Sequence, residues 1–313
     1  MHILLAYIKF LLRSTNQHGV HSPFIYNMVT RCFYDRKQYA SYDTLKNYRR
    51  SLLKDNREIE VKDFGVGSRV FKSDAREVSK MAKTAGISPK RARLLNRLVR
   101  YLKVDQALEL GTHLGQGTAA MAAGNEVKIT TVEGCPETAA VAGEKFQEFA
   151  FKNIRLKVGK FEDFLEEGGK WKVESTNSKS QIPNSNFTQT DNRSASAKAP
   201  EGKQLTTDNS QPTTGNGQPA TGNLSILNTK YSLLYIDGNH QKEATLSYFE
   251  KLLPTVHNDS VMIFDDIHWS AGMEEAWEEI KAHPEVRVTI DTFQWGLVFF
   301  RREQEKEHFV MRV

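Results

Sequence analysis

The sequence predicts an α/β fold: a mostly parallel sheet covered by helices on both faces, finished by antiparallel C-terminal strands and preceded by a helical N-terminal extension. Three observations carry that prediction. From about residue 104 onward short apolar runs alternate with helix-like stretches, the last runs are separated only by short connections, and residues 1–87 read mainly as helical. Strand and helix in turn bury a parallel sheet between helical layers, whereas runs joined by short turns pair antiparallel.

The first run, residues 1–12, is apolar but short, carries Lys9, and lacks a small-residue cleavage site. A membrane span needs about 20 apolar residues, so neither a span nor a signal peptide is expected. The expectation is a helix packing on its own domain, with membrane or partner docking as the alternative. Residues 1–87 as a whole are expected to form a helical cap over the site mouth, including His18-Gly-Val-His-Ser-Pro-Phe24. Asp63-Phe-Gly-Val-Gly-Ser68 is expected to be a loop near that mouth, because Ile59-Glu-Val61 before it is barely a strand and no acid-ended strand follows. Ser88 then caps a helix over 88–103: Pro89 fits its first turn, and Leu94, Leu95, Leu98, Val99 and Leu102 form one stripe.

The main domain is expected over 88–313. Residues 107–110, 128–132, 154–158, 233–236 and 261–264 read as five strands, with helices beginning at Thr118, spanning 136–151 and spanning 240–253. The last of these helices is expected to bury Leu246, Phe249 and Leu253. Residues 286–291, 295–301 and 308–313 read as the closing strands. Between the third and fourth strands lies a low-complexity insertion, 174–228. In residues 174–223, 27 are Ser, Thr, Asn or Gln and Phe187 is the only aromatic. Such a segment buries too little apolar area to offset an ordering cost of roughly 1–2 kcal/mol per residue, so disorder is expected there.

The 313 residues carry 43 Lys plus Arg against 38 Asp plus Glu, a formal charge of +5. That mild total hides a segregation, because between Arg69 and Lys103 stand 11 basic residues against Asp74 and Glu77, a local +9 that leaves −4 for the rest. The hydrophobic fraction of 39% falls below the roughly 45–50% of an ordinary domain, a deficit the insertion largely accounts for. Cys32 and Cys135 are too few for a disulfide framework and too far apart for a metal-type spacing, so a reducing cytoplasm is expected.

The chemistry begins in Leu108-Glu-Leu-Gly-Thr-His-Leu-Gly-Gln-Gly-Thr118, between a strand and a helix. Gly111, Gly115 and Gly117 let the backbone turn tightly and let a ligand approach without Cβ clashes. One strand later Glu133 stands at a strand's carboxyl end, placed to accept hydrogen bonds from two ribose hydroxyls, each worth roughly 1.5–3 kcal/mol. Glycine turn and acid together indicate a nucleoside-containing cofactor. Gly115-Gln-Gly-Thr-Ala-Ala120 also matches a dinucleotide pattern, but in that pattern the first glycine directly follows the strand, a place held here by Gly111.

The stretch Glu109-Leu-Gly-Thr-His-Leu-Gly-Gln-Gly-Thr118 resembles motif I of class I S-adenosylmethionine-dependent methyltransferases. The resemblance implies a seven-stranded Rossmann-like sheet and S-adenosyl-L-methionine as cofactor. It also implies cofactor contacts from Glu109, Gly111, Thr112, Gly115, Gly117, Thr118, Glu133 and Asp237. The family often carries an acid after the glycine beyond the third strand; this chain has Gly159-Lys-Phe-Glu162, which leaves Phe161 and Glu162 as the adenine candidates.

Tyr235-Ile-Asp-Gly-Asn-His240 ends the fourth strand and Ile263-Phe-Asp-Asp-Ile-His-Trp269 the fifth. Open α/β sheets bind ligands outside the carboxyl ends of their strands, so Asp237, Asp265 and Asp266 are expected to converge beside the glycine turn. Clustered carboxylates repel unless a cation is present, and an all-oxygen set favours Mg²⁺, Ca²⁺ or Mn²⁺. The arrangement resembles the metal site of cation-dependent small-molecule and sugar O-methyltransferases. Metal-free methyltransferases also carry an acid like Asp237, where it orients cofactor or acceptor, so both roles stay open. His240 and His268 adjoin these acids and are candidate catalytic bases, with a structural role as the alternative. His113 is expected to be positional.

The function expected is O-methylation of a small-molecule acceptor by in-line methyl transfer, with or without a divalent cation. The alternatives are an RNA or protein methyltransferase using the basic 69–103 segment, an NAD-dependent oxidoreductase, and a non-catalytic cofactor-binding protein.

Overall fold

The N-terminal extension folds as α1 (His2–Arg13), α2 (Pro23–Met28), α3 (Ser41–Leu53) and α4 (Val78–Thr84), with a short antiparallel pair, β1 (Glu58–Glu60) and β2 (Ala75–Glu77), between the last two. The structure is a computed structural model that describes residues 2–62, 73–166 and 226–313, all within one contact unit. Asp63-Phe-Gly-Val-Gly-Ser68 and nearly all of the predicted insertion lie outside the described residues. The last three residues of that insertion, Ile226–Asn228, form a single 3-10 turn with Ile226 buried.

Helix α5 (Pro89–Tyr101) forms as its sequence requires. Ser88 Oγ accepts the Arg91 N–H at 3.3 Å, Pro89 occupies the first turn, and Leu94, Leu95, Leu98 and Val99 face the core. Asn96 on the same face is fully buried, with its amide donating to the Ala120 and Ala123 carbonyls at 2.9 and 2.7 Å and its oxygen accepting from Ser41 at 2.8 Å. Every polar atom of that side chain is used, as burial demands, and α5 is thereby tied both to α3 and to the helix after the glycine turn.

The main sheet contains β3 (Gln106–Leu110), β4 (Lys128–Glu133), β5 (Ile154–Val158), β6 (Leu233–Ile236), β7 (Val261–Asp265), β8 (Val288–Asp291), β9 (Trp295–Phe299) and β10 (Glu307–Val310), in the order β10-β8-β9-β7-β6-β3-β4-β5. Helices α6 (Gln116–Ala122), α7 (Pro136–Glu148), α8 (Phe161–Phe164), α9 (Lys242–Leu252) and α10 (Ala271–Ala282) connect them. The parallel sheet of the sequence reading is present, with eight strands rather than seven. Only β9 runs against its neighbours, β7 and β8, while β10 pairs parallel to β8. A short connection does reverse the chain after β9, but both edges of β9 are already taken, so β10 joins the free edge of β8. Helix α9 buries Thr245, Tyr248, Phe249 and Leu252, a stripe turned by one residue from the predicted one.

Register places the site. Leu110 is level with Val132 on one side and Ile236 on the other, and Ile236 is level with Phe264. The residues that follow therefore share one edge: Glu133, Gly111, Asp237 and Asp265, in that spatial order, across about 14 Å at the usual strand spacing. Strand order reverses at β3, flanked by β4 and β6, which is where open α/β sheets bind ligands.

Residues 18–24 do not cover that edge. Phe24 packs on Phe299 at 5.3 Å under the Arg301 guanidinium, and Ser22 donates to Gln304 at 3.1 Å. Phe299 is level with Val261, whereas Asp265 is level with Trp295, so the segment lies about 13 Å down the strand from the ligand edge. The parts of the extension that do reach the edge are α1, through Tyr7 and Phe10 on Phe293, and α3, through Tyr48 on Leu114.

Candidate active site

The glycine turn is pressed from both sides by the protein itself. Gly111 has φ +105°, and a Cβ there would run into the Asp237 carbonyl, because the Asp237 N–H closes on Leu110 O at 2.9 Å. Gly115, at φ +73°, opens α6, and a Cβ on it would lie 2.5 Å from the Tyr48 hydroxyl and from the Phe146 ring. Tyr48 donates to Leu114 O at 3.0 Å and Arg49 to Gln116 Oε1 at 2.7 Å, so α3 buttresses the turn. A Cβ on Gly117 would meet Glu109 Oε1 at 2.7 Å. The three glycines thus clear protein neighbours.

Glu109 and its partners lie beneath the turn. Glu109, Thr118 and Thr112 are 1%, 0% and 2% exposed, too enclosed to offer a ligand any surface. The hydroxyls of Thr118 and Thr131 both donate to Glu109 Oε2, the second at 2.6 Å, and Thr112 pairs with Thr131 at 2.5 Å. Burial pushes the Glu109 carboxyl up to about 8 against the pull of those two hydroxyls. These three residues, expected as cofactor contacts, shape the turn from below.

Glu133 faces the other way. Its Oε2 accepts the His113 N–H at 2.7 Å and its Oε1 the Cys135 N–H at 3.0 Å, which fixes the half-buried carboxylate. His113, at φ +49°, is held neutral: burial, with Arg76 adding to it, lowers its imidazole to about 4.

Phe161 lies across Gly238 and meets Tyr248 edge-on at 5.7 Å, while Glu162 accepts the Tyr248 hydroxyl at 2.6 Å. Asn239 donates to the same hydroxyl at 3.2 Å, and its own Oδ1 is buried with no hydrogen-bond partner. An orphaned buried acceptor beside an aromatic edge, on the same sheet edge as the Glu133 carboxylate, fits a nucleoside-bearing cofactor.

The three aspartates reach the same edge, but the residues present do not fit a divalent cation. Asp265 Oδ1 accepts from Arg91 Nη1 at 2.8 Å and from the Asp266 N–H at 3.0 Å. The Tyr235 hydroxyl lies 3.1 Å from Asp237 Oδ2 and 3.4 Å from Asp265 Oδ2. Asp266, at φ +52°, donates its N–H to Gln294 O at 2.7 Å. Among the described residues no group of three or more His, Cys, Asp or Glu is placed to hold a metal ion. The guanidinium supplies positive charge to this cluster, while burial and the Asp265 and Asp266 charges push the Asp237 carboxyl well up. Arg91 was invisible as a site residue in the sequence, being one base in a basic stretch, 174 positions from its partner.

The two histidines separate. His268 Nδ1 lies 2.8 Å from Glu274 Oε1 and Nε2 lies 3.0 Å from Asp291 Oδ2, with Phe293 stacked on the ring. Burial pulls its pKa down, but the two carboxylates outweigh burial and raise it. With both ring nitrogens engaged by carboxylates, His268 ties α10 to β8 and presents no open nitrogen to an acceptor. His240 keeps its Nε2 3.9 Å from Asp237 Oδ1, on the loop between β6 and α9, with 21% of its side chain open.

A family model described as a methyltransferase domain matches residues 108–267, half of the chain. No curated protein matches. Among solved structures the chain is similar to the O-methyltransferase TomG from Streptomyces achromogenes, involved in tomaymycin synthesis and in complex with SAM, at 12% identity and a TM-score of 0.47, covering 87% of this chain and 95% of that one. It is similar to an O-methyltransferase from Bacillus cereus in complex with SAH at 14% identity and a TM-score of 0.45, covering 86% and 94%. The SAH-bound methyltransferase PaMTH1 from Podospora anserina gives 11% identity and a TM-score of 0.49, covering 90% and 97%. The matched family segment runs through the glycine turn, Glu133, Asp237 and the Asp265-Asp266 pair, and the chain belongs to that methyltransferase family, as a class I S-adenosylmethionine-dependent enzyme.

Proposed function

We propose that the protein moves the methyl group of S-adenosylmethionine to an oxygen of a small-molecule acceptor, with His240 as the base and without a divalent cation. The observation that carries this reading is the single sheet edge on which Glu133 stands at one end and the Asp237–His240 pair beside Asp265 at the other, with the Gly111 turn between.

The bound cofactor supplies an electrophilic methyl on a sulfonium. The Glu133 carboxylate at the end of β4 is placed for the ribose, the 111–114 backbone borders the methionine end, and Asn239 Oδ1 and Phe161 offer an acceptor and an apolar face to adenine. As the acceptor oxygen bonds to the methyl and the carbon–sulfur bond breaks, the hydroxyl proton passes to His240 Nε2. The Asp237 carboxyl lies 3.9 Å from that nitrogen. Alignment of the two reactants lowers the barrier by roughly 7–11 kcal/mol, more than the 10²–10⁴-fold that a positioned base adds.

Arg91 takes the part that the sequence reading gave to a cation. Its charge is fixed at Asp265 and sits 5.7 Å over the Trp295 ring, 20% exposed. The other α5 arginines form no free phosphate-binding face: Arg93 and Arg100 stack on Tyr42 and Tyr39, and Arg97 donates to the Cys32 and Phe33 carbonyls. That favours a small acceptor over RNA. A screen with methyl-labelled cofactor over phenols, sugars and lipids, with and without EDTA, tests the reading. Methyl transfer that survives EDTA and collapses in His240→Ala supports it; transfer abolished by EDTA overturns the cation-free part.

A further inference from the structure

Helix α1 is apolar on nearly every side, yet only Ala6 and Phe10 are buried against the body. A helix of that composition is ordinarily buried all round. Here Leu4, Leu5, Tyr7, Ile8, Leu11 and Leu12 are 64%, 53%, 43%, 46%, 39% and 83% exposed, six of the nine large hydrophobic side chains exposed among the described residues. Leu5, Ile8 and Leu12 follow helical spacing on the side opposite Ala6 and Phe10, so they form one outward stripe.

The formal charge on this helix has one sign. Helix α1 contains Lys9 and Arg13 and no acid, and its ion pair among the described residues is His2 with Glu274 at 3.7 Å. Between α1 and α5 runs a groove of about 900 Å³ whose lining includes Lys90, Arg97 and Arg312. Arg97 donates to two carbonyls and the Tyr42 hydroxyl, Arg312 to Ser14 O, and Lys90 to an oxygen of the last residue, Val313, at 2.6 Å. The cations that border the stripe are the helix's own, Lys9 and Arg13, on an exposed apolar helix that carries no acid.

We infer that α1 docks the protein on an anionic lipid surface, its outward stripe entering the interfacial layer and the flanking cations meeting lipid headgroups. Apolar area and basic charge on one short helix are the two features that drive interfacial binding, and neither suffices alone. The helix is too short to span: no described helix is long and apolar enough to cross a membrane. Its inner side rests on Phe293, next to Gln294, whose carbonyl holds Asp266, so docking brings the acceptor end of the site to the lipid surface.

Vesicle flotation of the full chain tests this without reference to methyl transfer. Vesicles of phosphatidylcholine with phosphatidylglycerol are compared with phosphatidylcholine alone, for the wild type and for Leu5→Glu/Ile8→Glu/Leu12→Glu, whose positions are solvent-exposed; an unchanged thermal melt verifies that the variant folds. The wild type is expected to float with the anionic vesicles, less so at high salt, and the variant to lose about tenfold or more of that binding. A wild type that stays in solution with both vesicle types overturns the inference. So does a wild-type dimer that the variant dissolves without any vesicle binding, since the stripe is then a contact between copies of the chain.

Discussion

Arg91 Nη1 sits 2.8 Å from Asp265 Oδ1 and joins the first turn of α5 to the carboxyl end of β7, with 20% and 7% of the two side chains exposed. An acid cluster that would otherwise require a cation carries its own. Removing one partner of a buried ion pair costs about 3–5 kcal/mol, and the partial exposure of Arg91 places Arg91→Met at the lower end, about 3 kcal/mol. Urea denaturation measures it, and a loss under about 1 kcal/mol contradicts the role given to the pair.

His240 and His268 differ in what they can accept. His240→Ala is expected to lower turnover by about 10²–10⁴-fold, the range of a positioned base, while His268→Asn leaves turnover nearly intact and lowers stability. The pH signature of His268 follows from its raised pKa: its contribution to stability is full below 6.5, the unperturbed value, and is lost as pH rises through the folded value. Melting curves of His268→Asn against wild type across that window check the sign.

Glu109 has the same sign for a different reason. Its carboxyl titrates at about 8 in the fold against an ordinary 4.5, so between those values the folded state holds a proton that the unfolded chain has released. Stability from this site is full below 4.5 and declines as pH rises toward 8, by up to about 4 kcal/mol. Glu109→Gln keeps the neutral form throughout and is expected to flatten that slope, which denaturation at several pH values measures.

Gly115→Ala is expected to destabilise by about 2–4 kcal/mol, because it adds left-handed strain at φ +73° to a collision with Tyr48 and Phe146. Tyr48→Phe loses only the bond to Leu114 O, about 1 kcal/mol. Thermal melts of the two variants separate crowding at the turn from the hydrogen bond across it.

Local signals carried far in this chain. The β3–turn–α6 unit, Glu133 at a strand end, and the acids after β6 and β7 are each written in contiguous residues whose alternation and glycines have one structural outcome. What escaped was long-range. Arg91 finds Asp265 across 174 positions and Tyr48 finds Leu114 across 66, and nothing local marks either pairing. His268 looked like a base because its clamp, Glu274 with Asp291, assembles only when α10 and β8 pack beside it. The glycines of the turn carried the right fold for a partly different reason, since the space they leave is filled by Asp237, Tyr48 and Glu109.

The cofactor edge itself is tested most directly by calorimetric titration of S-adenosylmethionine into the wild type and Glu133→Ala. Two charge-assisted bonds to ribose hydroxyls are worth together about 3–6 kcal/mol, so the wild type is predicted to bind and the variant to bind about a hundredfold or more weakly. Equal affinity in the two proteins, or tighter binding of NAD than of S-adenosylmethionine by the wild type, would contradict the account.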